Sequence, residues 1–107
     1  MKQTQTLSTP GGAATTRWLP LDNDIAVFNV GLFVDVTGTV SATIEGTLDD
    51  VQDPTVTPVA FSLPIAALVG LTADQVATLT MPVKAIRINQ ASGAGTILLK
   101  ALQQGVI

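Results

Sequence analysis

The stretch VGLFVDVTGTVSATIEGTLD, residues 30–49, decides the fold because its side chains alternate along two successive segments. One face is formed by every second residue, which are Val30, Leu32, Val34 and Val36 and then Val40, Ala42, Ile44, Gly46 and Leu48. The opposite face is mostly polar, and a repeat of two residues is typical of a β-strand with one buried face. The short connection at Thr37-Gly38 predicts that the two strands pair as an antiparallel hairpin.

Other short runs of strand-forming residues extend this pattern towards the C-terminus. VAFSL at 59–63 predicts one strand, and two more are predicted on either side of the Gly-rich loop SGAG at 92–95. That loop has neither the GxxxxGK[ST] nor the GxGxxG pattern, and no helix follows it, so we interpret it as a hairpin turn rather than a phosphate-binding loop. Thr72 to Gln75 fits a helix capping box, which predicts a single helical turn from Ala73.

The fold class that these segments predict is all-β, an antiparallel β-sandwich or jelly roll with an extended N-terminal arm. Residues 1–16 are polar, are interrupted by Pro10, Gly11 and Gly12, and are predicted to form the arm. Residues 17–107 are predicted to form a single sandwich domain. An arm of this composition is ordered only if something holds it, which is either strand pairing within the chain or a neighbouring subunit.

The composition excludes several classes of function. The chain has 107 residues without any Cys or His, which excludes disulfides, thiolate nucleophiles, the Ser-His-Asp triad and ordinary zinc sites. It carries only five basic residues and a net charge of −3, so nucleic acid is not an expected partner. It lacks the apolar run of a signal peptide or a membrane span. We therefore expect no enzyme activity, no cofactor and no membrane partner.

An acidic cluster follows the most regular strand. Asp49, Asp50 and Asp53 lie within five residues of one another, and carboxylate oxygens are ligands that calcium prefers. The EF-hand pattern is absent, and Asp side chains in turns also accept hydrogen bonds from nearby backbone amides. The second interpretation, an acidic solvated turn, is favoured over a cation site.

Four residues are predicted to lie at an interface: Trp18, Phe33, Glu45 and Arg87. If Ile86 faces the core, Arg87 faces outwards, where its planar guanidinium is suited to pair with an acid of its own or a neighbouring chain; the alternative is an ordinary surface charge. Trp18, the only Trp, is expected to pin the arm to the sandwich rather than to stack on a ligand. The exposed faces of residues 30–48 and the segment Met1–Thr16 are the predicted contact regions.

Two long stretches resemble a family of small tailed-bacteriophage proteins. They are RWLPLDNDIAVFNVGLFVDVTGTVSATIEGTLDDVQDPTVTPVAF, residues 17–61, and PVKAIRINQASGAGTILLKAL, residues 82–102. The family pattern reads W-(I/L)-P-L-D, F-N-V-G, T-(F/L)-D-D-V-x-D-P-T, P-V-(K/R)-A-(I/V)-R-(I/L)-N and S-G-x-G-T in that order. The chain departs from it between Ile65 and Thr80.

The resemblance implies a structural component of the virion and no catalytic residues. We expect a capsid decoration (cement) protein that binds the lattice of the major capsid protein and stabilises the head. It would form a homo-oligomer, a dimer or trimer, on the capsid surface of the virion, and would reside in the host cytoplasm before assembly. A low-charge surface favours such assembly. The alternatives are a head–tail connector or tail subunit of the same virion and, less favoured, a glycan-binding module.

Overall fold

The computed structural model describes residues 5–9, 11–21 and 29–104 of the chain. Within these ranges the strands are β1 (Gln5–Ser8), β2 (Ala14–Thr15), β3 (Leu19–Pro20), β4 (Asn29–Thr37), β5 (Ser41–Thr47), β6 (Ala60–Ser62), β7 (Gln75–Leu79), β8 (Ala85–Ser92) and β9 (Thr96–Gln104). A short 3-10 helix lies at Ala66–Leu68. The described part of the chain is therefore almost entirely strands and connections.

The strands form two antiparallel sheets that pack face to face. Sheet A has the order β1-β9-β4-β7, and sheet B has the order β2-β8-β5-β6, with β3 also pairing with β8. In sheet A, β4 and β9 pair along their whole length, from Asn29 opposite Gln104 to Thr37 opposite Thr96. In sheet B, β5 and β8 form the corresponding central pair. The prediction of an all-β antiparallel sandwich is confirmed.

Successive strands lie in opposite sheets at nearly every connection. If the two-residue pieces β2 and β3 are counted as one interrupted strand, the chain changes sheet after every described strand except β5, which pairs directly with β6. This connectivity is that of a jelly roll, in which the chain wraps around one core. Almost all strand pairs therefore join segments that are distant in sequence.

The two connections predicted as hairpins are corners between the sheets, so that prediction is wrong. β4 lies in sheet A and β5 in sheet B, and residues 38–40 cross from one to the other. β8 and β9 are likewise in different sheets, joined by residues 93–95. In both arrangements each strand turns one face to the core, so alternation of apolar residues does not distinguish a hairpin from a corner.

The two corners interlock, and this explains the glycines of SGAG. The Gly95 amide donates a hydrogen bond of 2.9 Å to the Thr39 carbonyl. Gly93 has a φ of 96°, and a Cβ at this position would overlap the same carbonyl oxygen. The buried Gln90 side chain donates from Nε2 to the Gly93 and Gly95 carbonyls at 3.1 and 3.0 Å. SGAG is thus held by the protein itself.

The core between the sheets is aliphatic, as the low aromatic content predicts. The alternation in the opening stretch is confirmed for the buried residues Val30, Leu32, Val34, Val40, Ala42 and Ile44. Burying one such Val, Leu or Ile side chain contributes about 1.5–3 kcal/mol. Leu48, predicted on the same face, is 58 % exposed because β5 ends at Thr47 and the chain leaves the sheet there.

The segment predicted as a helical turn is an edge strand. Gln75–Leu79 forms β7 and pairs with β4, from Gln75 opposite Val34 to Leu79 opposite Val30. Asp74 caps a strand instead of a helix, because its Oδ1 accepts a hydrogen bond of 2.7 Å from the Val36 amide. The capping-box prediction is wrong because burial of Leu79 against β4 outweighs a local preference for one turn.

The extended arm predicted for residues 1–16 is not confirmed. Residues 1–4 and 10 lie outside the described ranges, and the rest of this segment pairs with its own chain through β1 in sheet A and β2 in sheet B. Two threonines add to this pairing. The Thr9 hydroxyl accepts from the Ile97 amide at 2.9 Å, and the Thr16 hydroxyl accepts from the Ile88 amide at 3.0 Å. Of the two ways to order the segment, the intramolecular one is present.

Candidate functional site

A polar cluster occupies the outer face of sheet B. Arg87 on β8 lies directly opposite Glu45 on β5, and its Nε donates to Glu45 Oε1 at 2.8 Å. The Arg87 guanidinium also lies over the Trp18 ring, 4.3 Å from the ring centroid. Asn89 Nδ2 donates to the other Glu45 oxygen at 3.3 Å, and the Thr15 hydroxyl donates to Asn89 Oδ1 at 3.4 Å. The cluster thus ties β2, β5, β8 and the connection that contains Trp18 together.

The partners within this cluster neutralise one another. The Arg87 and Glu45 side chains are 25 % and 16 % exposed, so the pair is only partly screened by water. An ion pair of this kind with a cation–π contact contributes about 1 kcal/mol. Trp18 contacts the outer face of sheet B through Arg87, and Arg87 pairs with an acid of its own chain.

A different surface covers the outer face of sheet A. Phe33 at its centre is flanked by Val76 on β7 and Lys100 on β9. Val76 is 77 % exposed, and Leu102, opposite Gly31, is 40 % exposed. Because Gly31 has no side chain, a shallow depression lies between these residues, and its lining includes Lys100. We call the surface formed by Gly31, Phe33, Val76, Lys100 and Leu102 the apolar face.

The four predicted interface residues are thus divided between two surfaces. Trp18, Glu45 and Arg87 contact one another on sheet B, while Phe33 lies on sheet A, on the opposite side of the sandwich. Their role at an interface stays a prediction. Sequence reasoning missed Val76 because the capping box at Thr72 to Gln75 predicts a helical turn. It missed Leu102, on β9, because no local pattern shows which strands lie beside β4. The alternation of Gln75, Ala77 and Leu79 with Val76 and Thr78 is the signal that identifies β7.

The acidic cluster lies in the loop between β5 and β6 and organises that loop. Asp49 Oδ2 accepts from the Val59 amide at 2.8 Å, and Asp50 Oδ1 accepts from the Gln52 amide at 3.0 Å. Asp53 Oδ1 accepts from the Thr55 hydroxyl and amide, and these bonds lower the pKa of the Asp53 carboxyl. The three carboxylates thus cap separate amides. The described residues contain no group of three His, Cys, Asp or Glu side chains placed to hold a metal.

Membrane insertion by a helix has no candidate segment in the described ranges, since none of their helices is long and apolar enough to cross a bilayer.

Comparisons with known proteins define the class of the fold. No family model matches the chain, and no curated protein matches it. Among solved structures, it is similar to a chain of the Bacillus endospore appendages, described as a novel family of disulfide-linked pili. The TM-score is 0.56 and the sequence identity 15 %, over 100 % of this chain and 88 % of that one. At this identity the likeness shows the fold, an all-β sandwich, and nothing about function.

Proposed function

We propose that the protein is a structural subunit of a tailed-bacteriophage virion, a decoration protein that binds the lattice of the major capsid protein and stabilises the head. It acts as a homo-oligomer on the capsid surface and resides in the host cytoplasm before assembly. The phage assignment is supported by the sequence resemblance over residues 17–61 and 82–102. The observation that carries the structural role is the apolar face.

The apolar face supports a docking role because Val76 and Leu102 leave much of their apolar surface exposed in the isolated sandwich. Val76, with 77 % of its surface exposed, makes few contacts within the chain. Around it lie Phe33 and Leu102, with Lys100 as the only charge of the face as defined. Contiguous exposed apolar residues of this kind mark protein–protein contacts. A decoration protein needs such a face, since its many copies each add a small contact energy to the shell.

The fold likeness adds support of a general kind. The similar chain belongs to pili, so sandwiches of this type occur in repeating assemblies. Disulfide linkage does not transfer to this protein, because the chain has no Cys. Copies of this chain therefore cannot be linked by disulfides, which gives the exposed surfaces of the sandwich a larger share of the binding.

The proposal is tested by quantitative mass spectrometry of purified phage particles. We expect a copy number close to that of the major capsid protein. A copy number of six or twelve would support the alternative, a head–tail connector or tail subunit, and absence from the particles would refute a virion role. Binding of the isolated protein on a glycan array would favour the glycan-binding module instead.

A pair of matched variants tests the apolar face itself. Val76→Lys places a second charge on the apolar face, and Val59→Lys places one at a similarly exposed valine elsewhere, since the two side chains are 77 % and 71 % exposed. We expect Val76→Lys to be lost from particles and Val59→Lys to be retained. Retention of both variants at wild-type copy number would show that the apolar face is not the capsid contact.

A further inference from the structure

The edges of sheet B are protected against pairing with another chain. At one edge, β6 is only three residues long and lies between Pro58 and Pro64. At the other edge, β2 and β3 are two residues each, and β3 contains Pro20. Short strands and prolines are the usual means by which natural sheets prevent edge-to-edge association.

The edge strands of sheet A are longer, at four and five residues, although Pro10 lies two residues after the end of β1. The edge strand β1, QTLS, and the edge strand β7, QVATL, contain no Pro, Lys, Arg, Asp or Glu. Asp74, beside β7, accepts a hydrogen bond from the Val36 amide of its own chain. In the described chain no strand pairs with the outer side of either one. Among the described residues, the outward-facing backbone groups of β1 and β7 thus have no partner strand.

The two open edges are complementary in direction. Because every neighbour in the four-stranded order β1-β9-β4-β7 is antiparallel, β1 and β7 run in opposite directions. When the β7 edge of one copy meets the β1 edge of the next in the same orientation, the strands are antiparallel and the sheet continues. The faces also agree, because Leu7 and Leu79 point inwards while Thr6 and Thr78 lie on the outer face.

We propose that copies of this protein associate head to tail, with β7 of one copy pairing antiparallel with β1 of the next and sheet A continuing across the contact. Pairing of β7 with β7 would leave the β1 edges of both copies open, whereas pairing of β7 with β1 covers both edges of every interior copy. A contact between two different surfaces of this kind builds rings or filaments. This contact deepens the proposed function. It rests on that function only for its location, the capsid surface, where the copies would meet.

Charge substitutions at Thr6 and Thr78 test the contact on the full chain, because both side chains are exposed on the outer face at the two edges. The double variant Thr6→Lys/Thr78→Lys places like charges on both sides of the contact. Thr6→Lys/Thr78→Glu places opposite charges there. The control Thr57→Lys adds a charge at an exposed position in the β5–β6 loop. Analytical ultracentrifugation from about 10 µM to about 1 mM spans the affinities of weak contacts.

We expect the wild type and the Thr57→Lys control to gain mass with concentration. We expect roughly fivefold weaker association for the Lys/Lys variant and no weakening for the Lys/Glu variant. A monomeric wild type at all concentrations would overturn the proposal. Equally weakened association of the Lys/Lys and Lys/Glu variants would overturn the proposal too. That result indicates β7–β7 pairing, which places two Lys side chains together in the first variant and two Glu side chains together in the second.

Hydrogen–deuterium exchange of the wild type gives a test without substitutions. We expect amides of both β1 and β7 to exchange more slowly at high concentration, with β6 unchanged. Protection of β7 alone would contradict the proposal. These results are independent of the particle experiment: a protein absent from virions that still pairs through its edges would refute the proposed function and leave the contact in place.

Discussion

Sheets A and B have the same architecture around the same core, yet their outer surfaces have opposite chemistry. Sheet B carries the cluster of Trp18, Glu45 and Arg87, whose members satisfy one another, and its edges are short and contain or adjoin prolines. Sheet A carries the apolar face, and its edge strands contain no Pro or charged residue and have no outer partner strand among the described residues. The polar groups of the sheet B cluster are therefore paired within the chain, whereas sheet A leaves apolar side chains exposed.

The difference between the two sheets shows which outer surface is the better place to look for function. A satisfied cluster such as Arg87 with Glu45 attracts attention in the sequence but leaves little capacity to bind anything else. Val76 is inconspicuous in the sequence, yet its side chain is exposed in the fold. Burial of this apolar surface against another molecule would be favourable. The more informative surface is the one that the fold leaves incomplete.

The largest expected effect is on the corner that joins the two sheets. Gly93→Ala forces a Cβ against the Thr39 carbonyl at a positive φ, and we expect it to destabilise the protein by about 3 kcal/mol. Gly70→Ala is the matched control, because Gly70 also has a positive φ but open space around it, and we expect about 1 kcal/mol. Urea unfolding measures both. Equal losses would show that the interlock of the corners contributes nothing.

The next largest effect is expected at Gln90, which supports the same corner from sheet B. Gln90→Leu keeps the apolar bulk but leaves the Gly93 and Gly95 carbonyls without their donor, and we expect a loss of about 2 kcal/mol. Ala91→Leu, at an exposed position of the same strand, controls for the introduction of a Leu side chain into β8 and should change stability little. Thermal unfolding compares the two variants. If Gln90→Leu is as stable as the wild type, these hydrogen bonds make no net contribution to the stability of the fold.

The sequence predicted the strands of both sheets better than their pairing. Alternation identified the buried face of β4 and β5, since burial of every second residue is a local property. It did not predict that Gly38 and Gly95 lie in corners, because a strand in either sheet turns the same residues to the core. That choice depends on contacts between residues far apart in sequence, such as the Gly95 amide with the Thr39 carbonyl.

The candidate surfaces were predictable to different degrees. Opposite charges on two outward positions are visible in the sequence, so Arg87 and Glu45 were identified, although not as each other's partners. The apolar face was found only in part, at Phe33, because its other members lie on β7 and β9. Which strands lie beside Phe33 follows from the jelly-roll order, and no local pattern contains that information.

A smaller effect on stability is expected from substitutions on the outer faces, and it should differ between the two sheets. Arg87→Ala removes the Glu45 pair and the Trp18 contact, and we expect a loss of about 1 kcal/mol that decreases at high salt. On sheet A, Val76→Ala should change the stability of the isolated chain by less than about 0.5 kcal/mol, because the side chain is exposed. Denaturant unfolding at low and high salt measures both. A larger loss for Val76→Ala than for Arg87→Ala would reverse the comparison.

The smallest effect is expected in the loop that joins β5 and β6 of sheet B. The Thr55 hydroxyl and amide hold the pKa of the Asp53 carboxyl below its ordinary value, so the ionised form is favoured in the folded state. A lowered carboxyl pKa contributes stability above the unfolded pKa, and this is lost as the pH falls below about 4. We expect Asp53→Asn to be slightly less stable than the wild type near neutral pH.

The stability difference between the wild type and Asp53→Asn should disappear in acid. Thr55→Val, which removes the hydroxyl donor to Asp53, should make that difference smaller near neutral pH. Urea midpoints of the wild type and Asp53→Asn near neutral pH and at about pH 3 give the comparison. The Asp53 carboxyl changes its charge between these two pH values in the wild type, whereas the Asn side chain does not. Because the loop belongs to sheet B, the apolar face should be unaffected. A stability difference that is constant with pH would show that Asp53 acts through its shape and not its charge.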